Sequence, residues 1–113
     1  MNERHATNSQ RLVHAVLQSP GETDTGTRCA VEEHCARLDR NSTRMADNIP
    51  AELTSYLKKV ALHAYKTTDE DIAALRQAGY SEDAIFEITL SAALGAGLTR
   101  LERGLAVLKE DFE

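Results

Sequence analysis

Aromatic residues and strand-like patterns are scarce in this chain of 113 residues. There is no tryptophan, and aromatic residues make up only 4% of the sequence. β-Sandwiches depend on aromatic and β-branched residues, and no segment here shows the two-residue alternation of a half-buried strand. The apolar residues are mostly alanine, leucine, valine and isoleucine, which favours packed helices. We therefore expect an all-α fold, and the length fits a single helical domain over residues 1–113.

Positive charge, cysteine and long apolar runs are also limited. The net charge of −5 disfavours nucleic acid and anionic membrane surfaces as partners. No apolar run approaches the roughly 20 residues of a membrane span, and the first residues lack an apolar signal core. We therefore expect a cytoplasmic protein without membrane association. Two cysteines are too few for a disulfide scaffold. Neither CxxC nor HExxH occurs, so we expect no metal site and no cofactor.

Apolar periodicity predicts about five helices. Residues 1–8 are polar and are expected to be flexible. Two weakly patterned helices are predicted over residues 10–18 and 25–40. A polar, aperiodic stretch at residues 41–49 predicts a linker, which leads into a strongly patterned helical core over residues 50–109.

The boundaries within this core carry clear local signals. Pro50 suits the first turn of the third helix. Thr68 and the acidic residues after it resemble a capping box that starts the fourth helix, and Gly79 is suited to end it as a left-handed C-cap. Ser81 is expected to cap the fifth helix, which is predicted to run to about Lys109.

The fifth helix is apolar nearly all the way round, and Glu87 is the only ionisable residue between positions 84 and 98. Such a helix must be covered by other helices or by another subunit. A helix over residues 81–109 would be about 43 Å long, which exceeds the diameter of about 35 Å expected for a globule of this length. Heptad-like spacing continues towards its end at Leu94, Leu98, Leu101, Leu105 and Leu108. We expect this helix to form the interface of a homo-oligomer; an intramolecular core helix is the alternative.

Small residues accompany the start of this leucine series. Two mid-helix glycines, Gly95 and Gly97, each cost about 1 kcal/mol relative to alanine. Close approach by the backbone of another helix would offset that cost.

Glu87 is the first candidate for chemistry. A buried carboxylate must be paired, hydrogen-bonded or protonated. One interpretation is a proton-transfer residue with a raised pKa, as in a cofactor-free lyase. The other is a structural role, either as a pair with Arg100, Lys58, Lys59 or His63 or at a solvated gap in the packing. We favour the structural interpretation, because structural pairs perturb carboxylates in the same way as active sites do.

The segment CAVEEHC brings Cys29, His34 and Cys35 together in the sequence. A thiol beside an imidazole could have a lowered pKa and act as the nucleophile of a thiol peroxidase. On a helix, six residues separate the two thiols by about 9 Å along the axis, which is too far for a disulfide. The interpretation we favour is that Cys35 lies in the core beside Val31 and Leu38, while Cys29 and His34 lie near the surface.

Arg100 and Arg103, with Glu102 between them, form a charged group near the end of the apolar block. Two guanidinium groups could anchor an anionic small molecule. Intersubunit salt bridges or a solvated face are the interpretation we prefer for these residues.

The segment TTDEDIAALRQAGYSEDAIFEI, followed by the small-residue stretch and Arg100, resembles the alkylhydroperoxidase D-like proteins of the carboxymuconolactone decarboxylase superfamily. The resemblance covers about residues 49–108. It implies an all-helical fold, homo-oligomeric assembly and, in redox-active members, thiol peroxidase activity through a CxxC with a nearby histidine and an upstream glutamate. This chain has no CxxC, so no catalytic residue is carried over. We expect a non-redox assembly or small-molecule-binding module; a divergent enzyme using Cys29, Cys35 or Glu87 is the alternative.

Overall fold

The computed structural model describes the backbone of residues 3–38 and 49–112 and the side chains of residues 8–38 and 49–109. The described chain forms five α-helices and one short 3-10 turn. In order these are α1 (Glu3–Gln18), α2 (Thr25–Arg37), α3 (Ala51–Leu62), the 3-10 turn (Ala64–Lys66), α4 (Asp69–Gln77) and α5 (Glu82–Phe112). No strand occurs within these ranges. The predicted all-α class is confirmed, and the predicted linker lies outside the described residues except for Ile49.

Helix α5 is the central element of the fold. Its 31 residues correspond to a length of about 46 Å, and the longest dimension of the molecule is 52 Å. Helix α2 makes the most extensive contact with α5, while α1, α3 and α4 pack against other parts of it. The predicted long C-terminal helix is confirmed.

The predicted caps of α4 and α5 are confirmed. The main-chain N–H of Thr68 donates to Asp71 Oδ2 at 2.9 Å, and the N–H of Asp71 donates to Thr68 Oγ1 at 3.4 Å, which completes a capping box. Gly79 follows α4 with a φ of +107°, in the left-handed region where glycine is favoured. Ser81 Oγ accepts a hydrogen bond from the N–H of Ala84 at 3.1 Å.

The third helix is shorter than predicted. The periodicity predicts one helix from Pro50 to about Lys66, but α3 ends at Leu62 and a 3-10 turn follows. Because the capping box fixes the start of α4 at Thr68, the chain has to change direction just before it. As a result Tyr65, which the apolar pattern predicts to be inside, is 81% exposed.

Two boundaries in the first half also differ from the prediction. Helix α1 begins at Glu3 rather than at Gln10, so it includes residues that were expected to be flexible. Helix α2 ends at Arg37 rather than at residue 40, with Leu38 in an extended conformation after it. The polar residues at these ends give no periodic signal, which is why the apolar pattern misplaces them.

The core lies between α2, α3, α4 and one face of α5. The predicted apolar faces of α2 and α3 are inside, although Ala78, which is predicted to face inward from the end of α4, is exposed. The buried core residues are Val31, Cys35, Leu53, Tyr56, Leu57, Ala61, Leu75, Ile85, Ile88, Ala92 and Ala96.

Within α5, the segment Glu82–Lys109 is long and apolar enough to cross a membrane by length and composition alone. The expectation that no apolar run is long enough is therefore wrong on those two criteria. In this structure 44% of its most apolar 18-residue window is buried inside the protein. Core helices of soluble proteins meet the same criteria, so this observation is weak evidence for a membrane span.

Candidate functional site

The inner face of α5 packs closely against α2. Ile88 and Ala92 are fully buried there. A Cβ atom at Gly95 would overlap the carbonyl oxygen of Glu32 in α2, so only glycine allows the two backbones to approach this closely. The close approach expected for the small residues is thus made, at Gly95, by a helix of the same chain.

The outer face of α5 carries a continuous line of exposed residues, which we call the outer stripe. Its members are Phe86, Leu90, Ala93, Gly97, Leu101, Gly104 and Leu108, and all seven are exposed. Phe86 is 63% exposed, and Leu108 at the other end is 52% exposed. A Cβ atom at Gly97 or Gly104 would meet no atom within 4 Å. Neither glycine is therefore needed for packing against the described part of the chain, although each lowers helix stability.

The leucines that predict heptad packing divide between two environments. Leu94, Leu98 and Leu105 are partly buried, whereas Leu101 and Leu108 are exposed. Leu98 faces a mostly apolar groove of about 420 Å³ between α5 and α1. Part of the leucine series thus packs within the chain, and the rest belongs to the outer stripe.

Glu87 binds the connection between α1 and α2. Its carboxylate accepts hydrogen bonds from the main-chain N–H of Glu22 at 2.8 Å, the N–H of Thr23 at 3.0 Å and the Thr23 hydroxyl at 2.8 Å. A Cβ atom at Gly21 would overlap this carboxylate. Glycine at position 21 therefore lets the turn come close enough to be held by Glu87.

The same turn is wrapped around the guanidinium group of Arg28, which is only 3% exposed. Arg28 Nη1 donates to the carbonyl of Val16 at 2.9 Å, and Nη2 donates to the carbonyls of Ser19 and Thr23. Its Nε atom has no hydrogen-bond partner among the described residues. Arg28 and Glu87 thus hold opposite sides of the turn with opposite charges.

Arg28 is not among the predicted site residues, yet a signal for it exists in the sequence. The apolar stripe of α2 runs through Val31, Cys35 and Leu38. Arg28 lies three residues before Val31, on the same face of the helix. A charged residue that continues an apolar stripe must find polar partners inside the protein.

The pKa of Glu87 does not fit the proton-transfer interpretation. Burial alone would raise its pKa, but the hydrogen bonds from Thr23 and Glu22 and the charge of Arg28 outweigh burial, so the pKa lies below its ordinary value. The predicted raised pKa is therefore wrong. A catalytic role for Glu87, which its place in the apolar block suggests, stays a prediction.

Two of the cations predicted as partners of Glu87 have other contacts. Lys59 pairs with Asp71 at 2.8 Å, and Arg100 donates to the carbonyl oxygen of Ala61 at 2.6 Å. The prediction that Glu87 pairs with Arg100, Lys58, Lys59 or His63 is wrong, because its hydrogen-bond donors are Glu22 and Thr23.

The two cysteines are free and occupy different environments. Cys35 is 2% exposed, and burial together with the charge of Glu32 raises its pKa to about 12. A thiol that stays protonated at neutral pH is a poor nucleophile. Cys29 is partly buried, and its sulfur accepts a hydrogen bond from Gln18 Nε2 at 3.6 Å. The predicted core position of Cys35 is confirmed.

The three catalytic candidates do not form one site around Glu87. Glu87 lies level with Arg28, and Cys35 lies seven residues further along α2, which is about 10 Å along the helix axis. His34 is partly buried on α2 next to Cys35.

A small cavity of about 250 Å³ opens beside Cys35, near the ends of α2 and α3. Its lining is more polar than apolar: Thr99, Arg100 and Arg103 line it together with the apolar side chains of Leu38, Leu62 and Ala96. Arg100 is held by the carbonyl of Ala61, so its guanidinium is partly satisfied within the chain. Among the described residues, no group of three or more histidine, cysteine, aspartate or glutamate side chains is placed to hold a metal ion.

Comparison of the chain with protein-family models, with curated proteins and with solved structures finds no match. The resemblance to the alkylhydroperoxidase D-like proteins therefore stays a prediction that rests on residues 49–108 of this sequence alone.

Proposed function

We propose that this protein is a non-redox, self-associating helical module and that the outer stripe of α5 binds a second copy of the chain. The observation that carries the proposal is the exposure of Gly97 and Gly104 among large exposed apolar side chains. Both glycines lower the stability of the isolated helix, and neither has a packing partner within the described residues.

A partner helix would account for both parts of the outer stripe. Burial of apolar surface contributes about 25 cal/mol per Å², so Phe86, Leu90, Leu101 and Leu108 would all gain from being covered. The glycines would allow the partner backbone to come closer than larger side chains would permit. Between Ala84 and Thr99 the only charged residue is Glu87, and its carboxylate is hydrogen-bonded to the turn between α1 and α2.

The state of the thiols supports the non-redox part of the proposal. The sequence has no CxxC, and burial keeps Cys35 protonated at neutral pH. The resemblance to alkylhydroperoxidase D-like proteins also implies a homo-oligomer. A cytoplasmic location and a small-molecule ligand remain expectations from the sequence.

Sedimentation of the full chain across the micromolar range tests the proposal. We expect wild-type protein to self-associate and Leu101→Glu to be monomeric, because a buried charge in the interface has no partner. Ala106→Glu is the matched control: it adds the same charge to the same end of α5, but residue 106 is exposed on the opposite side of the helix.

A wild-type protein that stays monomeric throughout this range would contradict the proposal. So would self-association that survives Leu101→Glu unchanged. Circular dichroism of each variant would show that the helices are intact, which is expected because both substituted residues are exposed.

A further inference from the structure

The members of the outer stripe are symmetrically spaced along the sequence. From Phe86 to Leu108 its successive members are four, three, four, four, three and four residues apart. The series is the same in both directions, and Gly97 is its midpoint. A surface of this kind can face a reversed copy of itself without any change of register.

Helix geometry keeps this line straight. The spacing amounts to a repeat of 11 residues, or about 3.67 residues per turn, which is close to the natural period of the α-helix. The stripe therefore stays on one side of α5 over about 33 Å from Phe86 to Leu108. Two such helices can stay in contact along this whole length without strong supercoiling.

We infer that two copies of this chain pair through antiparallel α5 helices, with Gly97 on the two-fold axis. This inference rests on the proposed self-association and specifies its geometry. It commits the outer stripe to one partner, a second copy of the same chain in an isologous interface.

Side-chain size favours the antiparallel arrangement. About an axis at Gly97, Leu90 meets the partner's Gly104, and Ala93 meets the partner's Leu101. Each large residue near the centre thus faces a small one, which fills space evenly. In a parallel pair in register, every residue faces its own copy, so that Leu90 meets the partner's Leu90 and Gly104 leaves a gap against the partner's Gly104.

Charge at the two ends also favours the antiparallel arrangement. Asp83 precedes the outer stripe and Lys109 follows it, and both residues are exposed. Reversal of the second copy brings Asp83 near the partner's Lys109, whereas a parallel pair places Asp83 near the partner's Asp83. Opposite charges at corresponding ends select orientation more than they add affinity.

The area of the contact between the two α5 helices sets the expected affinity of the dimer. One helix face is at the small end of specific protein interfaces, so we expect a dissociation constant in the micromolar range. Gly97→Leu would place a side chain on the axis, where the two backbones are closest. We expect it to raise the dissociation constant about tenfold or more, because a close-packed contact does not accept the added volume.

Disulfide cross-linking of mixed variants tests the orientation. In a Cys29→Ser background, which keeps the buried Cys35, Ala93→Cys is mixed with Leu101→Cys and oxidised mildly. We expect the mixed 93–101 dimer to dominate. In the antiparallel pair the two copies of residue 93 lie about 12 Å apart along the axis, so Ala93→Cys alone should cross-link poorly. Ala106→Cys is the matched control and should not cross-link.

The outcomes separate the inference from the proposed function. If wild-type protein self-associates, Leu101→Glu abolishes this, and Ala93→Cys forms efficient dimers with itself, the antiparallel inference is wrong and the proposed function stands. If the chain stays monomeric and instead binds phosphatidylcholine vesicles, the outer stripe faces lipid and both proposals are wrong.

Discussion

The inner and outer faces of α5 carry similar residues in very different environments. Gly95 and Gly97 are two positions apart in the same helix, but a Cβ at Gly95 would strike the backbone of α2, whereas a Cβ at Gly97 would meet nothing within 4 Å. The inner glycine is explained by the fold of one chain. The outer glycine has no such neighbour among the described residues, and this difference is the basis of the proposed self-association.

The largest expected difference between the two faces is in the free energy of unfolding that is lost when Ile88 or Leu90 is replaced by alanine. Ile88 is fully buried, so Ile88→Ala should lower the free energy of unfolding by about 2–5 kcal/mol. Leu90 is 40% exposed on the outer stripe, and Leu90→Ala should cost less than about 1 kcal/mol in the monomer. Urea unfolding of both variants at concentrations below self-association measures the contrast. Similar losses would show that the two faces are not distinct.

The paired glycine variants sharpen the contrast because they should change stability in opposite directions. Gly95→Ala should lower the free energy of unfolding of the monomer by about 1–3 kcal/mol, since the added methyl group overlaps α2. Gly97→Ala should raise it by up to about 1 kcal/mol through better helix propensity. The same urea experiment measures both. An increase in both variants would mean that α2 does not approach α5 as closely as described.

Glu87 is held by the α1–α2 turn, and its effect should depend on pH. Glu87→Gln should lower the free energy of unfolding at neutral pH by about 1–2 kcal/mol, because the amide replaces one acceptor by a donor that faces the main-chain N–H groups. The folded pKa of Glu87 lies below its ordinary value of 4.5. Its stabilisation is therefore complete above that ordinary value and is lost as the pH falls through the folded pKa.

The measurement for Glu87 is the difference in unfolding free energy between wild type and Glu87→Gln, followed from neutral pH down to acid. We expect this difference to shrink below the ordinary pKa. Asp24 and Asp71 also have lowered pKa values, but they are present in both proteins and cancel in the difference. A difference that stays constant with pH would show that the charge of Glu87 does not stabilise the fold.

The smallest expected effect is on the reactivity of the two thiols, which reports directly on the packing of the inner face of α5. Cys35 packs against α5 and has a pKa raised to about 12, so it should react with a disulfide reagent far more slowly than Cys29. Gly95→Ala should speed the reaction of Cys35 by loosening the contact between α2 and α5. Equal rates for the two thiols in wild-type protein would contradict the buried position of Cys35.

Local signals in the sequence predicted much of the fold. Thr68, Gly79 and Ser81 mark the ends of α4 and α5 because each acts on residues within one turn of itself. Long-range partners were not predictable in this way. Glu87 binds Thr23, which lies 64 positions away, and nothing local to Glu87 indicates that turn.

The partners of the two faces of α5 were also not predictable from the local sequence. Composition predicts that both glycines in the middle of the helix favour close approach, but it does not say which helix approaches each one. The crossing of α2 decides this for Gly95, and the crossing follows from the whole fold. The close approach by another helix that the small residues predict is confirmed at Gly95, where α2 of the same chain makes it. The oligomer interface stays a prediction.

The contact between Glu87 and the turn at Glu22 and Thr23 makes the packing of α1 against α5 depend on pH. Among the side chains that the structure describes, α1 makes no hydrogen bond of its own to α5, and the groove between the two helices is mostly apolar. Acidification would neutralise the carboxylate and loosen the turn from α5, while Arg28, which stays charged, would keep its hydrogen bonds to Val16 and Ser19. The first helix should then stay tied to α2 at its end but pack less firmly on α5, which exposes more of Leu98.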